Sequence, residues 1–168
     1  SAYSLIIEEG TPFARKKLIL PTEDEEYQMY EDTAEILRKY GFHQYEISNY
    51  ARDGFECRHN KGYWQRTEYL GAGLGVASLF QGKRFSNTSD MKVYLSDSTD
   101  PEKIREDVTT LSGSNEMEEF MFLGLRMTEG ISERQFERNF GCRIEDIYGS
   151  VLTKYKDMDL LEHTGEFW

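Results

Sequence analysis

Sulfur chemistry is almost absent from this sequence. Cys57 and Cys142 are its two cysteines, far apart in a chain of 168 residues, too few for a disulfide framework and too few for a cysteine-rich metal site. Apolar runs are short as well. None approaches the ~18 residues that span a bilayer, and the N-terminus has no basic segment followed by an apolar one. A cytoplasmic protein without a transmembrane segment is the expectation. Excess positive charge is missing too. With Lys+Arg 20 against Asp+Glu 31, the formal net charge is -11, which argues against a nucleic-acid partner because phosphate binding draws on clustered Lys and Arg. There is no internal repeat or low-complexity tract, and no Ser/His/Asp set or carboxylate pair can be argued from spacing. His43 and His163 sit in no metal-ligating pattern.

The hydrophobic pattern is that of an α/β protein. Residues 3–8 (YSLIIE) are a short apolar run closed by Glu9-Gly-Thr-Pro12, as in a buried strand and its turn. Thr22 with Glu25 forms a capping box, and the acids at 23–25 favour the positive end of a helix dipole. Tyr27, Tyr30, Ala34 and Leu37 then repeat at helical spacing up to Gly41, which predicts one buried stripe and a left-handed exit. Residues 42–47 read as a second strand, parallel to the first across the helix. A strand at 76–80, a hairpin turn at 81–84 and a short helix at 89–95 follow. The polar stretch 96–101 marks an expected boundary, dividing a body over 1–97 from a mainly helical domain over 98–168. In that second part, helices are predicted from 114, from Ser132 with its partner Gln135, and from 144. A strand beginning at 160 would make the end a truncated winged helix.

The richest chemistry lies over 45–64. Tyr45, Tyr50, Phe55, Tyr63 and Trp64 stand beside Arg52, Arg58, His59, Lys61 and Arg66, a locally basic loop in an acidic chain. Such a loop suits a flat, negatively charged partner. An imidazole is the commonest protein ligand to haem iron. On that reading His59 is the candidate ligand, Asn60 orients it, Tyr63 and Trp64 stack on a macrocycle, and Arg58, Lys61 or Arg66 meet its propionates. The plain alternative is that His59 and Asn60 cap a helix starting near Lys61 and the aromatics only pack. Gly71, Gly73 and Gly75 either let the backbone approach a ligand or pack backbones closely at a sheet rim; their spacing is no dinucleotide fingerprint. Glu46, on the second strand, is either a buried carboxylate with a catalytic use or the partner of Arg52 or Arg58.

YEISNYA (45–51) followed by HNxxYW (His59, Asn60, Tyr63, Trp64) resembles the oxygen-independent coproporphyrinogen III oxidase-like radical SAM family, closer to its haem-chaperone branch than to the oxidases. YSLIIEEGTPF (3–13) looks like a late strand of the family's incomplete (β/α) barrel, and YLGAGLGVASLF (69–80) like its glycine-rich closing segment. EEFMFLGLRMTEGIS (118–132) looks like the start of its C-terminal helical domain. The resemblance implies a porphyrin-biosynthesis oxidoreductase or a haem chaperone whose parent protein carries a [4Fe-4S] cluster and S-adenosylmethionine. It implies haem or porphyrin as ligand at Arg58, His59, Asn60, Tyr63 and Trp64, with adenosylmethionine bordered by Gly73, Gly75 and Leu79, and haem-accepting proteins as partners. The family's CxxxCxxC motif is absent, so this reads as the C-terminal portion of a longer protein, unable to run radical chemistry alone. Ala77 stands near the place where many chaperone-branch members carry a histidine. The competing class is a non-catalytic binding or regulatory module with a winged-helix-like end. Unpaired strand edges would also favour self-association.

Overall fold

Thr22 starts the first helix as its chemistry requires. In the computed structural model, which describes residues 1–16 and 18–168, helix α1 spans Glu23–Lys39, with the Thr22 hydroxyl and the Glu25 side chain satisfying each other's backbone amides. At its end Gly41 takes φ +79°, and the amide of Phe42 returns to the carbonyl of Leu37 at 3.0 Å. The chain divides into two units, Ser1–Cys57 and Arg58–Trp168.

The first unit departs from the expected parallel pair. Strand β1 (His43–Glu46) pairs antiparallel with β2 (Asn49–Ala51), because a chain that turns back at once closes a far shorter loop than a crossover does. Residues 3–8 are not a strand. Ile6 is 77% exposed, and that end of the chain is tied to the hairpin by the Ala2 amide on the Ser48 carbonyl at 2.9 Å. The expected stripe of α1 is buried only in part: Ala34 and Leu37 are half-buried, while Tyr27 and Tyr30 are exposed. Tyr30 uses its hydroxyl instead, accepting from the Gln44 amide at 2.6 Å.

The second unit opens with α2 (Arg58–Trp64). An antiparallel sheet of β3 (Ala77–Phe80), β4 (Lys83–Asn87) and β5 (Arg105–Thr110) follows, in the order β3-β4-β5. Gln81 and Gly82 both have positive φ, the primed turn whose twist matches a hairpin. Asp90 caps α3 (Met91–Asp97), and Asp100 caps the short α4 (Pro101–Ile104). Strand β5 was not anticipated, because its sequence REDVTT is exposed along most of its length and lacks an apolar alternation. The 97/98 division expected from composition falls inside this unit, between α3 and α4. Small antiparallel sheets thus stand where barrel strands were expected.

Three helices complete the unit: α5 (Gly113–Gly124), α6 (Glu133–Phe140) and α7 (Ile144–Asp157). Ser112 and Asn115 form a capping box on α5, and Ser132 caps the amide of Gln135 on α6. Phe120, Ile131, Phe136, Ile144 and Leu152 make the core, with Phe140 and Tyr148 packed against it. A side chain at Gly124 would come within 2.2 Å of Ile131, so the close approach of α5 to that core requires glycine. Residues 160–163 form no strand. The expected wing reduces to isolated bridges of Phe167 with Thr164 and Ser132, with Trp168 exchanging backbone hydrogen bonds with Ile131. No helix among the described residues is long and apolar enough to cross a membrane.

Candidate functional site

Helical spacing divides the HNxxYW motif between two sides of α2. Residues four apart share a face, so His59 goes with Tyr63 and Asn60 with Trp64. The helix includes Arg58, His59 and Asn60 within its first turn, rather than beginning near Lys61, and it ends where Arg66 takes φ +57°.

On the first side the rings form a column. His59 meets Tyr63 edge-on at 4.7 Å, and Tyr63 meets Tyr69 the same way at 4.7 Å. His59 is exposed, and among the described residues its imidazole makes no hydrogen bond or ion pair. A ring held in orientation by its neighbour, with free nitrogens, is available to ligate. Arg58 is exposed and Lys61 half-buried, and neither forms an ion pair among the described residues.

On the second side Trp64 lies under a cation. The guanidinium carbon of Arg126 is 4.3 Å from the ring centre, and both Trp64 Nε1 and Arg126 Nε are buried without a hydrogen-bond partner among the described residues. Trp64 also lines a cleft of about 260 Å³ with Phe120, Gly124, Met127 and Ile131.

Arg66 corrects one expectation. It does not await a propionate. Its Nε donates to Glu119 at 3.0 Å and its terminal nitrogen lies 3.5 Å from Glu116, while Arg84 donates to Glu119 at 2.6 and 3.1 Å. Burial pushes the Glu119 carboxyl up, but the hydrogen bonds and charges of Arg84 and Arg66 outweigh it and hold the group below its ordinary 4.5. This network ties the end of α2 and strand β4 to α5. Sequence reading missed Glu119, Arg84 and Arg126. The available signal was a charged residue among the apolar ones of α5: Glu119 stands beside Phe120, and both are buried.

Glycine backbone geometry is explained by the sheet. Gly71 has no room for a side chain, which would fall 2.4 Å from the Ala77 carbonyl. The Gly73 carbonyl accepts from Asn87 at 2.8 Å, and the Gly75 amide donates to Thr88 at 3.0 Å, both glycines at positive φ. Leu79 is buried and paired through its backbone with Tyr69. In the first unit, Glu46 is fully buried and forms no ion pair among the described residues, contrary to the expected link to Arg52 or Arg58. One oxygen accepts from the Ser48 amide at 3.1 Å and from the Asn49 side chain, and the other is unpartnered; Arg52 stacks on Phe42.

The remaining histidines are occupied: His43 lies 3.7 Å from Asp53, and His163 lies 2.8 Å from Glu133 while stacking on Trp168. An iron–sulfur cluster is held by several cysteine thiolates. The chain offers two free thiols, one exposed in the first unit and one half-buried in the second, and this set does not fit the cluster.

Residues 111–168 match the HemN C-terminal domain. The chain is 39% identical over 163 residues to the heme chaperone HemW of Lactococcus lactis, covering 95% of this chain and 42% of that protein. With the heme chaperone HemW of Bacillus subtilis it shares 35% over 171 residues, covering 98% of this chain and 44% of that one. It therefore spans about two-fifths of the length of the curated relatives it matches. Its fold is similar to part of coproporphyrinogen III oxidase (HemN) from Escherichia coli, described as a radical SAM enzyme, with TM-score 0.69 and 15% identity over 90% of this chain and 38% of that one.

Proposed function

The chain belongs to the coproporphyrinogen III oxidase-like radical SAM family, and from that premise we propose that it is the distal portion of a haem-handling protein of the chaperone branch, with His59 as the ligand to haem iron. The observation that carries this reading is the His59 imidazole: exposed, without a hydrogen bond among the described residues, and packed edge-on against Tyr63. A neutral imidazole nitrogen is a good ligand to iron, and an exposed one suits cargo that must be taken up and passed to a haem-accepting protein. Asn60 lies beside it on α2, while Arg58 and Lys61 supply positive charge near the helix start. In the whole protein, residues 71–79, including Gly73, Gly75 and Leu79, would border adenosylmethionine, and the reductive cleavage of that cofactor depends on cluster ligands that this chain does not supply. The division into a barrel part over 1–97 and a helical part over 98–168 belongs to the same proposal.

Haem titration of the purified chain, followed by the Soret band, tests it. Saturable binding that weakens by about tenfold or more in His59→Ala, the loss of one metal ligand being worth at least ~1.4 kcal/mol, is the expected result. Binding equal in both proteins would remove the assignment.

A further inference from the structure

Helix α2 has 7 residues, too few to hold a helix in water unaided, so the direction in which it presents His59 comes from what it touches. Two tethers hold it. Just past its end Arg66 is bound to Glu119 of α5 at 3.0 Å. Along its length the Tyr63 ring meets Tyr69 at 4.7 Å with the planes at 86°, and one turn earlier the same ring meets His59 at 4.7 Å and 76°. Tyr69 lies outside the helix and is fixed at both ends. Its backbone exchanges two hydrogen bonds, of 2.8 and 3.0 Å, with the buried Leu79 of β3. Its hydroxyl acts on Arg84 of β4: the Glu119 carboxylate first, and the Tyr69 hydroxyl to a smaller degree, hold that guanidinium above its ordinary value against the pull of burial. Arg84 in turn is clamped by Glu119 at 2.6 and 3.1 Å. The ring on which Tyr63 rests is therefore part of the sheet.

We propose that Tyr69 is a positioning residue for the haem ligand: acting through Tyr63, it holds the His59 imidazole in the orientation in which it meets iron. The role rests on the reading of His59 as that ligand. An exposed side chain left to itself spreads over several staggered rotamers, and a ligand that must first be confined binds more weakly than one already confined. One edge-on ring contact is worth roughly two- to tenfold in an equilibrium constant, enough to bias the imidazole while leaving it exposed. Neither ring contact consumes an imidazole nitrogen, since His59 makes no hydrogen bond among the described residues. The HNxxYW motif cannot do this alone. Tyr63 rides on the same short helix as His59 and moves with it, whereas Tyr69 is set in the sheet through Leu79 and Arg84.

Two measurements on the purified chain test this, the first without haem. NMR relaxation of the His59 ring should show a side chain as ordered as its backbone. That order should fall in Tyr69→Leu, which keeps apolar bulk at a half-buried position, and should persist in Tyr69→Phe, which keeps the ring. A freely rotating His59 ring in the unsubstituted chain would overturn the proposal without recourse to any variant, as would order unchanged in Tyr69→Leu. The second measurement is haem titration as a double-mutant cycle. Tyr69→Leu should weaken binding about fivefold, within the range for one ring contact, and Tyr69→Phe by less than about twofold. In a His59→Ala background Tyr69→Leu should change the affinity no further, because its effect passes through the imidazole. An equal loss in both backgrounds would overturn the positioning role and leave Tyr69 a packing residue. Haem binding indifferent to His59→Ala would remove the iron ligand itself, while the ring order measured without haem reports separately on the column, so the two failures give different results.

Discussion

Glu46 and Asn49 are among the most enclosed side chains of the first unit, whereas the second encloses Phe136 and Ile144. In the first, an apolar run at residues 3–8 and the tyrosines of α1 stand open to solvent while a carboxylate is fully buried. In the second, aromatic rings from α5 and α6 meet edge-on at 5.6 and 5.7 Å around Phe120, and the buried carboxylate, Glu119, has two arginines. Both units contain well-capped helices. Capping is a local device and works wherever its few residues occur, but it contributes only about 1 kcal/mol. The larger stabilisation, about 25 cal/mol for each Å² of apolar surface removed from water, is concentrated in the second unit.

The largest effect should come from Phe136→Ala, which empties a fully buried position and should cost about 3–5 kcal/mol in urea unfolding. Ile6→Ala, at an exposed site of equal hydrophobicity, should stay within about 0.5 kcal/mol. Similar costs at the two positions would break the contrast between the units. Next comes Glu119→Gln, which takes the carboxylate from Arg84 and leaves Arg66 only Glu116 at 3.5 Å, and should cost about 2–3 kcal/mol, below the range of a fully enclosed pair because Arg84 is partly solvated. The acid limb sharpens this. Since the folded-state pKa of Glu119 is lowered, its contribution is present above the unfolded value near 4.5 and is lost as pH falls through the folded one. Chemical denaturation at pH 3 and pH 6 should therefore show a steeper acid loss in the unsubstituted chain than in Glu119→Gln.

Ser132→Ala should cost about 1–2 kcal/mol, since that hydroxyl both caps Gln135 and donates to Glu166 at 3.0 Å. Its counterpart, Thr22→Ala, should reduce the helical circular dichroism of α1 while leaving the main unfolding transition near its original midpoint. The smallest effect on stability belongs to His59→Ala, within about 0.5 kcal/mol for an exposed side chain, even as haem affinity falls. A large loss of stability in that variant would place His59 among the packing residues.

Legibility followed range along the chain. The capping box at Thr22, the cap at Ser132, the Gln81-Gly82 turn and the helices α5 to α7 were readable because each is determined by residues within a turn or two of one another. The HNxxYW motif was readable as a family mark, and its helix was placed only a few residues late. Strand β5 was not readable, because an exposed edge strand carries no apolar alternation, and residues 3–8 were misread because an apolar run does not say whether a partner strand will ladder with it.

By itself, then, the sequence determined the family, the local elements and the presence of an imidazole, an indole and a basic cluster in one short stretch. Tertiary structure alone decided which charges are spent and which remain. Arg66 and Arg126 look interchangeable in sequence, yet α5 brings Glu119 against the first and the turn after α5 lays the second on Trp64. The reason is that pairing and desolvation depend on distances of a few ångströms between residues tens of positions apart, and those distances exist only once the helices have packed.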